Sequence, residues 1–372
     1  MRRTPHHTNE QARHDIDLGS LGDRLGTLPC LDADFPEGDE PDYRILLDNP
    51  PADGLRSASG YGSLANSRIL SPVVTSGGQS PNRAKLLKKI GSGTFGQVFE
   101  ARWTGLKVAV KQIPQDGTEN RELAILIRLA SDNHPNIVNL LHHYEQDKKL
   151  CLVLELMPCS LQDLLQRCPA GCRLPSADTR AYMQQLTKAL AHLELCNICH
   201  RDLKPANVLV DFKSKMLKLA DFGSAKVITK GVGNTTYITT RFYRAPEAIL
   251  DNPFYDSKLD SWALGCLFAE MIAARVIFRG KDSLDQLIQI MRKLGTPTVE
   301  QLIDINPALD PASIATYANL RTVARSWASI MGHTRFTQEM QDLLTGLLEW
   351  SPKLRLSATQ ALSSAYVAEN SL

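Results

Sequence analysis

The sequence lacks any continuous apolar run of eighteen residues and any apolar segment just after Met1. A helix that crosses a bilayer needs about 20 predominantly apolar residues, and a secretory signal needs an apolar core near its start. Strong charge of one sign is also missing, because the 372-residue chain has a formal net charge of only +2. Proteins that bind nucleic acid or anionic membranes usually carry a large basic excess. The sequence therefore predicts no membrane partner, no nucleic-acid partner, and a location in the cytoplasm, the nucleus or both.

Cysteine is sparse, with eight residues in the whole chain. Disulfide-stapled domains carry a much denser set, so free thiols are predicted here. Two pairs, Cys168/Cys172 and Cys196/Cys199, superficially match a four-thiolate zinc site. The segment between them is predicted to form one helix about 30 Å long, at 1.5 Å per residue. The pairs then lie at opposite ends of that helix, which excludes a site built from all four thiols.

Lysine is absent from residues 1–83, which contain eight arginines, twelve acidic residues, eight prolines and nine glycines. This composition, without a sustained apolar period, predicts a disordered tail. Hydroxyl side chains recur at every fourth position of its second half, at Ser59, Ser63, Ser67, Ser71 and Thr75. Chance spacing in a serine-rich linker is the simpler explanation of this ladder.

An ordered domain is predicted to begin near residue 84, where a strand leads into Gly91, Gly93 and Gly96. Glycine lets a backbone approach phosphate groups closely, but the spacing G-x-G-x-x-G also occurs in dinucleotide folds and in many turns. A dinucleotide fingerprint opens into a helix, whereas Val98 and Phe99 here continue as a second strand. The sequence therefore predicts a strand-turn-strand flap.

The next predicted strand is an apolar run that begins at Val108 and ends in Lys111. A buried ammonium group is costly unless an acid pairs with it. Helical spacing in the following segment places Glu122 on the inward face, with Glu119 as a local competitor. A pair of Lys111 and Glu122 would hold the α and β phosphates of a nucleotide.

A polar turn with the sequence HRDLKPAN occupies positions 200–207, between an apolar helix and an apolar strand. Its pattern, H-R-D-L-x-x-x-N, is that of the catalytic loop of protein kinases. In that loop Asp202 would accept the proton of an incoming hydroxyl, Lys204 would meet the transferred phosphoryl group, and Asn207 would hold Mg²⁺. Asp221, at the end of a later short strand, is a second hard oxygen ligand for Mg²⁺.

These motifs occur in one order across residues 84–368, together with the stretches NREL from Asn120, DFGSAK from Asp221, RFYRAPE from Arg241 and LGTP from Leu294. The set resembles a eukaryotic protein kinase domain, and it is most similar to the glycogen synthase kinase-3 family. The resemblance implies an α+β, bilobal fold that follows the tail, with a small β-rich N-lobe at 84–157 and a larger helical C-lobe at 158–368. It also implies a serine/threonine kinase that acts on proteins with ATP and Mg²⁺.

The nucleotide site is predicted to combine the flap, the strand of Lys111 and the polar link between the lobes, whose backbone would bind adenine. Its residues are predicted to be Ile90, Gly91, Ser92, Gly93, Thr94, Phe95, Gly96, Gln97, Val98, Ala109, Lys111, Glu122, Glu155, Met157 and Leu209.

The resemblance further implies that Arg121, Arg201 and Lys226 bind a phosphate already present on the substrate, four residues C-terminal to the modified serine or threonine. Three adjacent cations repel one another unless an anion joins them, and pairing with local acids is the less favoured explanation for all three together. Tyr237 matches a tyrosine on which the family phosphorylates itself. One later helix matches a docking helix for scaffold peptides, although core packing accounts equally well for its apolar stripe. That stripe consists of Leu287, Ile288, Met291 and Leu294.

Three alternatives are compatible with these residues. Thr235 and Tyr237 spell the T-x-Y of mitogen-activated kinases, which makes a proline-directed kinase the second candidate. A phosphate on Thr235 would also fill the cation triad in cis.

A pseudokinase scaffold would keep the fold and work by binding proteins, but every catalytic position is filled here. Finally, a phosphate on Ser71 would allow stepwise modification of the tail toward Ser59, because the cation triad would hold each new phosphate.

Overall fold

The computed structural model describes residues 83–93, 96–115, 120–167, 173–236, 240–332 and 336–368. The predicted tail lies outside the described residues, apart from Arg83. The same holds for Thr94, Phe95, Glu119, Cys168, Cys172 and Tyr237.

A five-stranded antiparallel sheet forms the first part of the ordered chain, in the order β1-β2-β3-β5-β4. Its strands are β1 (Lys85–Gly93), β2 (Gly96–Trp103), β3 (Leu106–Pro114), β4 (Leu140–Gln146) and β5 (Lys149–Glu155). The β-branched residues of the two central strands, among them Val108, Val110 and Val153, are fully buried. Such residues favour strands because they pack well on a pleated surface. The predicted β-rich N-lobe is thereby confirmed.

The predicted flap is confirmed as the hairpin of β1 and β2, in which Gly91 pairs with Val98 and Gly93 with Gly96. Gly96 has a φ of +142°, and a Cβ there would stand 2.3 Å from the backbone oxygen of Gln112. Only glycine fits such a close approach to β3. A Cβ at Gly93 would meet nothing within 4 Å, so packing within the described residues does not demand glycine at that position.

The remainder of the described chain is mainly helical, which confirms the predicted C-lobe. The helices are α1 (Arg121–Ala130), which belongs to the N-lobe, then α2 (Leu161–Arg167), α3 (Ser176–Leu195), α4 (Pro246–Ile249), α5 (Lys258–Ala273), α6 (Ser283–Leu294), α7 (Val299–Ile305), α8 (Pro311–Ala318), α9 (Trp327–Met331), α10 (Gln338–Leu347) and α11 (Ala358–Ala361). Helix α5 is apolar on all sides and buried almost throughout, as expected for the central helix of a core. Among the described helices, none is both long enough and apolar enough to cross a bilayer.

The helical lobe also contains short strands, namely β6 (Cys159–Ser160), β7 (Ile198–Cys199), β8 (Val208–Asp211), β9 (Met216–Leu219) and β10 (Lys226–Val227). The antiparallel pair of β8 and β9 positions the polar turn at 200–207. Val208 pairs with Leu219, so the start of β8 lies beside the end of β9. Asn207 and Asp221, which flank these strand ends, are therefore brought to the same edge of the sheet.

The apolar stripe on α6 belongs to the core. Leu287, Ile288 and Met291 are fully buried, and Leu294 is half-buried against the same core. The structure therefore favours core packing as the explanation of the stripe.

A buried ion pair joins α4 to the C-terminal part of the lobe. Arg355 donates from Nη1 to Oε1 of Glu247 at 2.6 Å and from Nη2 to Oε2 at 2.8 Å. Its guanidinium also lies 5.0 Å from the centroid of the Trp262 ring. Arg355 therefore has a structural role as the ion partner of Glu247.

Replacing Arg355 with leucine leaves the Glu247 carboxylate buried without its partner. We expect the free energy of unfolding to fall by about 3–5 kcal/mol, measured by denaturant titration. The double variant Arg355→Leu/Glu247→Leu should lose less, because no lone charge remains. The exposed pair of Lys353 and Asp304 is the control, and Lys353→Leu should change stability by under about 1 kcal/mol. Equal losses in the single and double Arg355 variants would contradict this account.

Candidate active site

Lys111 lies in β3 with 6% of its surface exposed. Its Nζ is 2.7 Å from Oε1 and 2.8 Å from Oε2 of Glu122 on α1, so the predicted ion pair is present. A second carboxylate, that of Asp221, places Oδ1 2.6 Å from the same Nζ. The ammonium group therefore joins the sheet, α1 and the segment after β9.

The charges of this cluster follow from its contacts. Burial by itself lowers the pKa of Lys111, but the attraction of Glu122 and Asp221 outweighs it and the pKa is raised. Burial likewise raises the pKa of Asp221, but Lys111 reverses that effect and the pKa is lowered overall. The Asp221 side chain is 37% exposed, whereas that of Glu122 is 3% exposed. Asp221 is therefore the acid that a ligand in the cleft can reach.

The Asp202 carboxylate is held from two directions. Nζ of Lys204 donates to Oδ2 at 2.7 Å, and Nδ2 of Asn207 donates to the same oxygen at 3.1 Å. The backbone N–H and the hydroxyl of Thr240 both donate to Oδ1 at 3.1 Å. These bonds fix the orientation of a carboxylate that is placed to accept a proton. Sequence reasoning missed Thr240, because no local pattern links it to a residue 38 positions earlier.

A short series of contacts connects Asp202 with Lys111. The backbone N–H of Ala220 donates to the carbonyl of Asn207 at 2.9 Å, and Asp221 follows Ala220 directly. The side-chain nitrogen of Asn207 also donates to the carbonyl of Asp202 at 2.8 Å. These bonds engage the amide nitrogen and leave the oxygen as the atom that can ligate a metal. An amide oxygen and a reachable carboxylate form a donor set that suits Mg²⁺.

Asp260 holds the catalytic turn in place. The N–H of His200 donates to its Oδ2 at 2.6 Å, and that of Arg201 donates to Oδ1 at 2.8 Å. Arg201 has a φ of +65°, a conformation that costs energy in a non-glycine residue and needs such support. Burial raises the pKa of Asp260, while His200 and the two amides oppose that shift. A carboxylate at the start of the apolar helix α5 was the available signal, because a buried acid needs partners.

Asp221 also has a left-handed backbone, with a φ of +62°. The residue after it, Phe222, is buried and meets the ring of His200 edge-on at 5.1 Å between centroids. Nε2 of His200 lies 3.0 Å from the carbonyl oxygen of Ala220. The backbone on both sides of Asp221 is therefore tied to the catalytic turn.

Several residues predicted to surround a nucleotide lie in β1, β2 and β3, the strand that bears Lys111. Ala109 is buried beside Lys111 in β3, and Val98 is half-buried opposite Lys111 in β2. The flap presents Ile90, Ser92, Gly93 and Gln97 as exposed residues, with Gly91 and Gly96 half-buried. Thr94 and Phe95 lie outside the described residues, so their predicted contacts stay predictions.

The predicted link between the lobes begins at the end of β5. Oε1 of Glu155 accepts a hydrogen bond from the N–H of Asn139 at 2.7 Å and pairs with Lys218 at 2.8 Å. The Glu155 carboxylate is therefore already used in contacts within the protein. Its side chain is not needed for the predicted adenine contact, which was assigned to the backbone of the link. Met157 and Leu209 are half-buried, Met157 in the link and Leu209 in β8.

The three cations predicted to bind a phosphate lie near one another. The pKa of Lys226 is lowered by partial burial and by repulsion from Arg201 and Arg121. The guanidinium group of Arg201 donates to two neutral oxygens, the carbonyl of Ser224 at 2.7 Å and the hydroxyl of Tyr255 at 3.1 Å. Within the described part of the chain, no carboxylate forms an ion pair with any of the three cations. Among the described residues, no local acid accounts for these three cations; Glu119, two residues before Arg121, lies outside them.

Tyr255 connects the pocket to the segment that contains Thr235. Its hydroxyl donates to the carbonyl of Thr235 at 2.7 Å while it accepts from Arg201. The side chain of Thr235 is exposed. Tyr237 lies outside the described residues. Sequence reasoning missed Tyr255, since an apolar-looking aromatic residue 54 positions after Arg201 has no motif to mark it.

Two comparisons with known proteins relate this chain to protein kinases. Residues 84–367 match the protein kinase domain family. Protein kinase gsk31 of the fission yeast Schizosaccharomyces pombe is 36% identical over 319 residues, which cover 82% of this chain and 81% of the relative.

Replacing Asp260 with asparagine removes one of its two acceptor oxygens, so the N–H of His200 or of Arg201 loses its partner. A hydrogen bond to a charged group contributes about 1.5–3 kcal/mol, so local amide exchange should accelerate about tenfold or more. Hydrogen exchange of the peptide that contains the turn measures this. The control is Asp256→Asn, two residues before α5 begins. Oδ1 of Asp256 accepts a hydrogen bond from the N–H of Lys258 at 2.9 Å. Unchanged exchange in Asp260→Asn would show that the carboxylate does not hold the turn.

Proposed function

The chain belongs to the protein kinase family, and on that basis we propose that it transfers the γ-phosphoryl group of ATP to serine and threonine hydroxyls of proteins. The observation that carries the proposal is a series of links: Lys111 bonds to Asp221, the adjacent Ala220 bonds to Asn207, and Asn207 bonds to Asp202. A binding-only pseudokinase is the weaker alternative, because it has no need for all four groups in one cleft.

The proposed mechanism assigns one task to each side chain. Lys111 binds the α and β phosphates, and Glu122 keeps its ammonium group in position. Asp202 accepts the proton of the attacking hydroxyl, and Thr240 fixes the direction of its carboxylate. Lys204 offers positive charge to the transferred group. Mg²⁺ held by Asn207 and Asp221 would neutralise phosphate charge. Positioning and electrostatic stabilisation supply most of the rate acceleration.

Asp202→Asn removes the proton acceptor and retains the shape of the side chain. We expect kcat to fall about 10²–10⁴-fold, with little change in KM for ATP, since general base catalysis typically contributes that much. Phosphate transfer to a generic basic protein measures the effect. The control is Asp211→Asn, because Asp211 accepts only a local bond from the N–H of Lys213. Full activity in Asp202→Asn would overturn the assignment, and inactivity of the unmodified protein would favour the pseudokinase alternative.

We further propose that the pocket of Arg121, Arg201 and Lys226 binds a phosphate that another kinase has placed on the substrate. The observations in its favour are the mutual repulsion of the cations and the neutral partners of Arg201. An anion relieves that repulsion and gains charge-assisted hydrogen bonds from the guanidinium groups. The preferred substrate would carry serine or threonine four residues before the phosphorylated residue.

A peptide with the pattern S-x-x-x-phosphoserine and its unphosphorylated twin test this preference. We expect a higher kcat/KM for the primed peptide, and a loss of about tenfold or more of that advantage in Arg121→Ala and Lys226→Ala. Both cations bind remote from the reacting hydroxyl, so rates on the unprimed peptide should change little. Lys230→Ala, an exposed cation of the same segment, is the matched control.

Equal rates on the two peptides would contradict the priming proposal while leaving the kinase assignment intact. A Thr235→Ala variant distinguishes a third case. If a phosphate on Thr235 fills the pocket in cis, the protein that retains Thr235 shows no preference for primed peptides. The Thr235→Ala substitution then creates such a preference. That outcome would favour the mitogen-activated alternative.

Autophosphorylation of Tyr237 remains a prediction of the family resemblance. The same is true of a scaffold peptide at α6, whose apolar side chains are already used by the core. Stepwise phosphorylation of the tail from Ser71 toward Ser59 follows from the same pocket. Phosphate found on Tyr237 alone, in protein incubated with ATP and a priming kinase, would exclude the tail as a substrate.

A further inference from the structure

Three side chains with different donor atoms meet at the far end of α1, and none of them takes part in the candidate active site. Nε2 of His192 lies 3.2 Å from Oδ2 of Asp132. The Cys196 thiol lies 3.8 Å from that nitrogen and 4.0 Å from that oxygen. The three donor atoms thus form a small triangle, and it is the only group of this kind within the described residues.

The size of this triangle fits a tetrahedral metal site. Zinc bonds of about 2.3 Å to sulfur and about 2.0–2.1 Å to nitrogen and oxygen place the N···O edge at about 3.3 Å and the edges to sulfur at about 3.5 Å. The measured edges are within about half an ångström of those values, so small side-chain rotations bring all three atoms onto one ion. A histidine–aspartate ion pair alone would not require a thiol at the third corner.

Local structure holds each ligand in place. His192 and Cys196 stand four residues apart at the end of α3, where the N–H of Cys196 donates to the carbonyl of His192 at 3.1 Å. This spacing puts both side chains on one face of the helix. The Ser131 hydroxyl donates to the carbonyl of Arg128 at 2.7 Å and lies 3.3 Å from Oδ1 of Asp132, the carboxylate oxygen that is not part of the triangle.

The surroundings also suit a bound ion. The ring of His134 stacks on that of His192 at 4.9 Å between centroids, which covers one side of the ligand. Asp132 is exposed, which opens the fourth position of a tetrahedron to water.

We propose that Asp132, His192 and Cys196 form a binding site for Zn²⁺ or a chemically similar transition-metal ion. The sulfur and nitrogen donors exclude Mg²⁺ and Ca²⁺, which prefer oxygen. This site is distinct from the four-cysteine arrangement excluded above, since the Cys199 thiol is buried beside the carbonyl of Asp256. A bound ion would fasten the end of α1, the helix that bears Glu122, to the end of α3 in the other lobe.

Cobalt(II) is the probe, added to the full-length protein without nucleotide, so the test does not depend on the proposed function. We expect a thiolate-to-cobalt charge-transfer band in the near ultraviolet and the intense visible bands of tetrahedral cobalt, both abolished by competing Zn²⁺. Cys196→Ser should remove the charge-transfer band. Asp132→Asn, at an exposed position that does not support packing, should weaken affinity about tenfold or more.

Two controls separate this site from other thiols. Cys159→Ser changes a half-buried thiol next to the carbonyl of Val210, and Cys30→Ser/Cys168→Ser/Cys172→Ser changes the three cysteines outside the described residues. Both should leave the cobalt spectrum unchanged. A spectrum without a thiolate band, a band that survives Cys196→Ser, or a band lost equally in either control would overturn the proposal. Cobalt bound only at Asn207 and Asp221 has no sulfur ligand and would give no such band.

Discussion

The need to pair a buried ammonium group shapes the centre of this structure. Lys111 sits in the middle of the sheet, where an unpaired charge would be prohibitively costly. It is satisfied by one carboxylate from α1 and another from the segment after β9. Strand, helix and cleft must therefore come together for the fold to tolerate the lysine. The same requirement places Asp221 where a phosphate-bound metal would meet it.

Two other buried charges act in a comparable way on the helical lobe. Asp260 accepts the amides of His200 and Arg201, and thereby supports a turn whose backbone is strained at Arg201. Arg355 neutralises Glu247 and so anchors α4, which follows the segment that contains Thr240. Each pair ties a polar, irregular segment to an apolar core. The turn at 200–207 and helix α4 are thus each held by buried charges.

The three cations of the proposed phosphate pocket differ from these pairs in their partners. Lys111 and Arg355 are matched by acids, whereas Arg121, Arg201 and Lys226 have no carboxylate partner within the described residues. Unmatched cations close together raise the energy of the folded chain unless an anion binds. The cluster of Asp132, His192 and Cys196 presents the opposite case, since its donor atoms converge as they would around a cation. The two clusters lie at opposite ends of α1: Arg121 is its first residue, and Asp132 follows its last turn.

Local features of the sequence were enough to determine the flap, the buried lysine with Glu122, and the catalytic turn. The β-branched and aromatic residues of β2, the cost of a buried charge and the chemistry of a short polar turn each act over a few residues. Tertiary structure alone decided that Asp221 shares Lys111, that Thr240 orients Asp202, and that Asp132 meets Cys196. These contacts join residues 38 to 110 positions apart. Such contacts arise only when strands and helices pack, because no periodicity along the chain records which distant side chains that packing brings together.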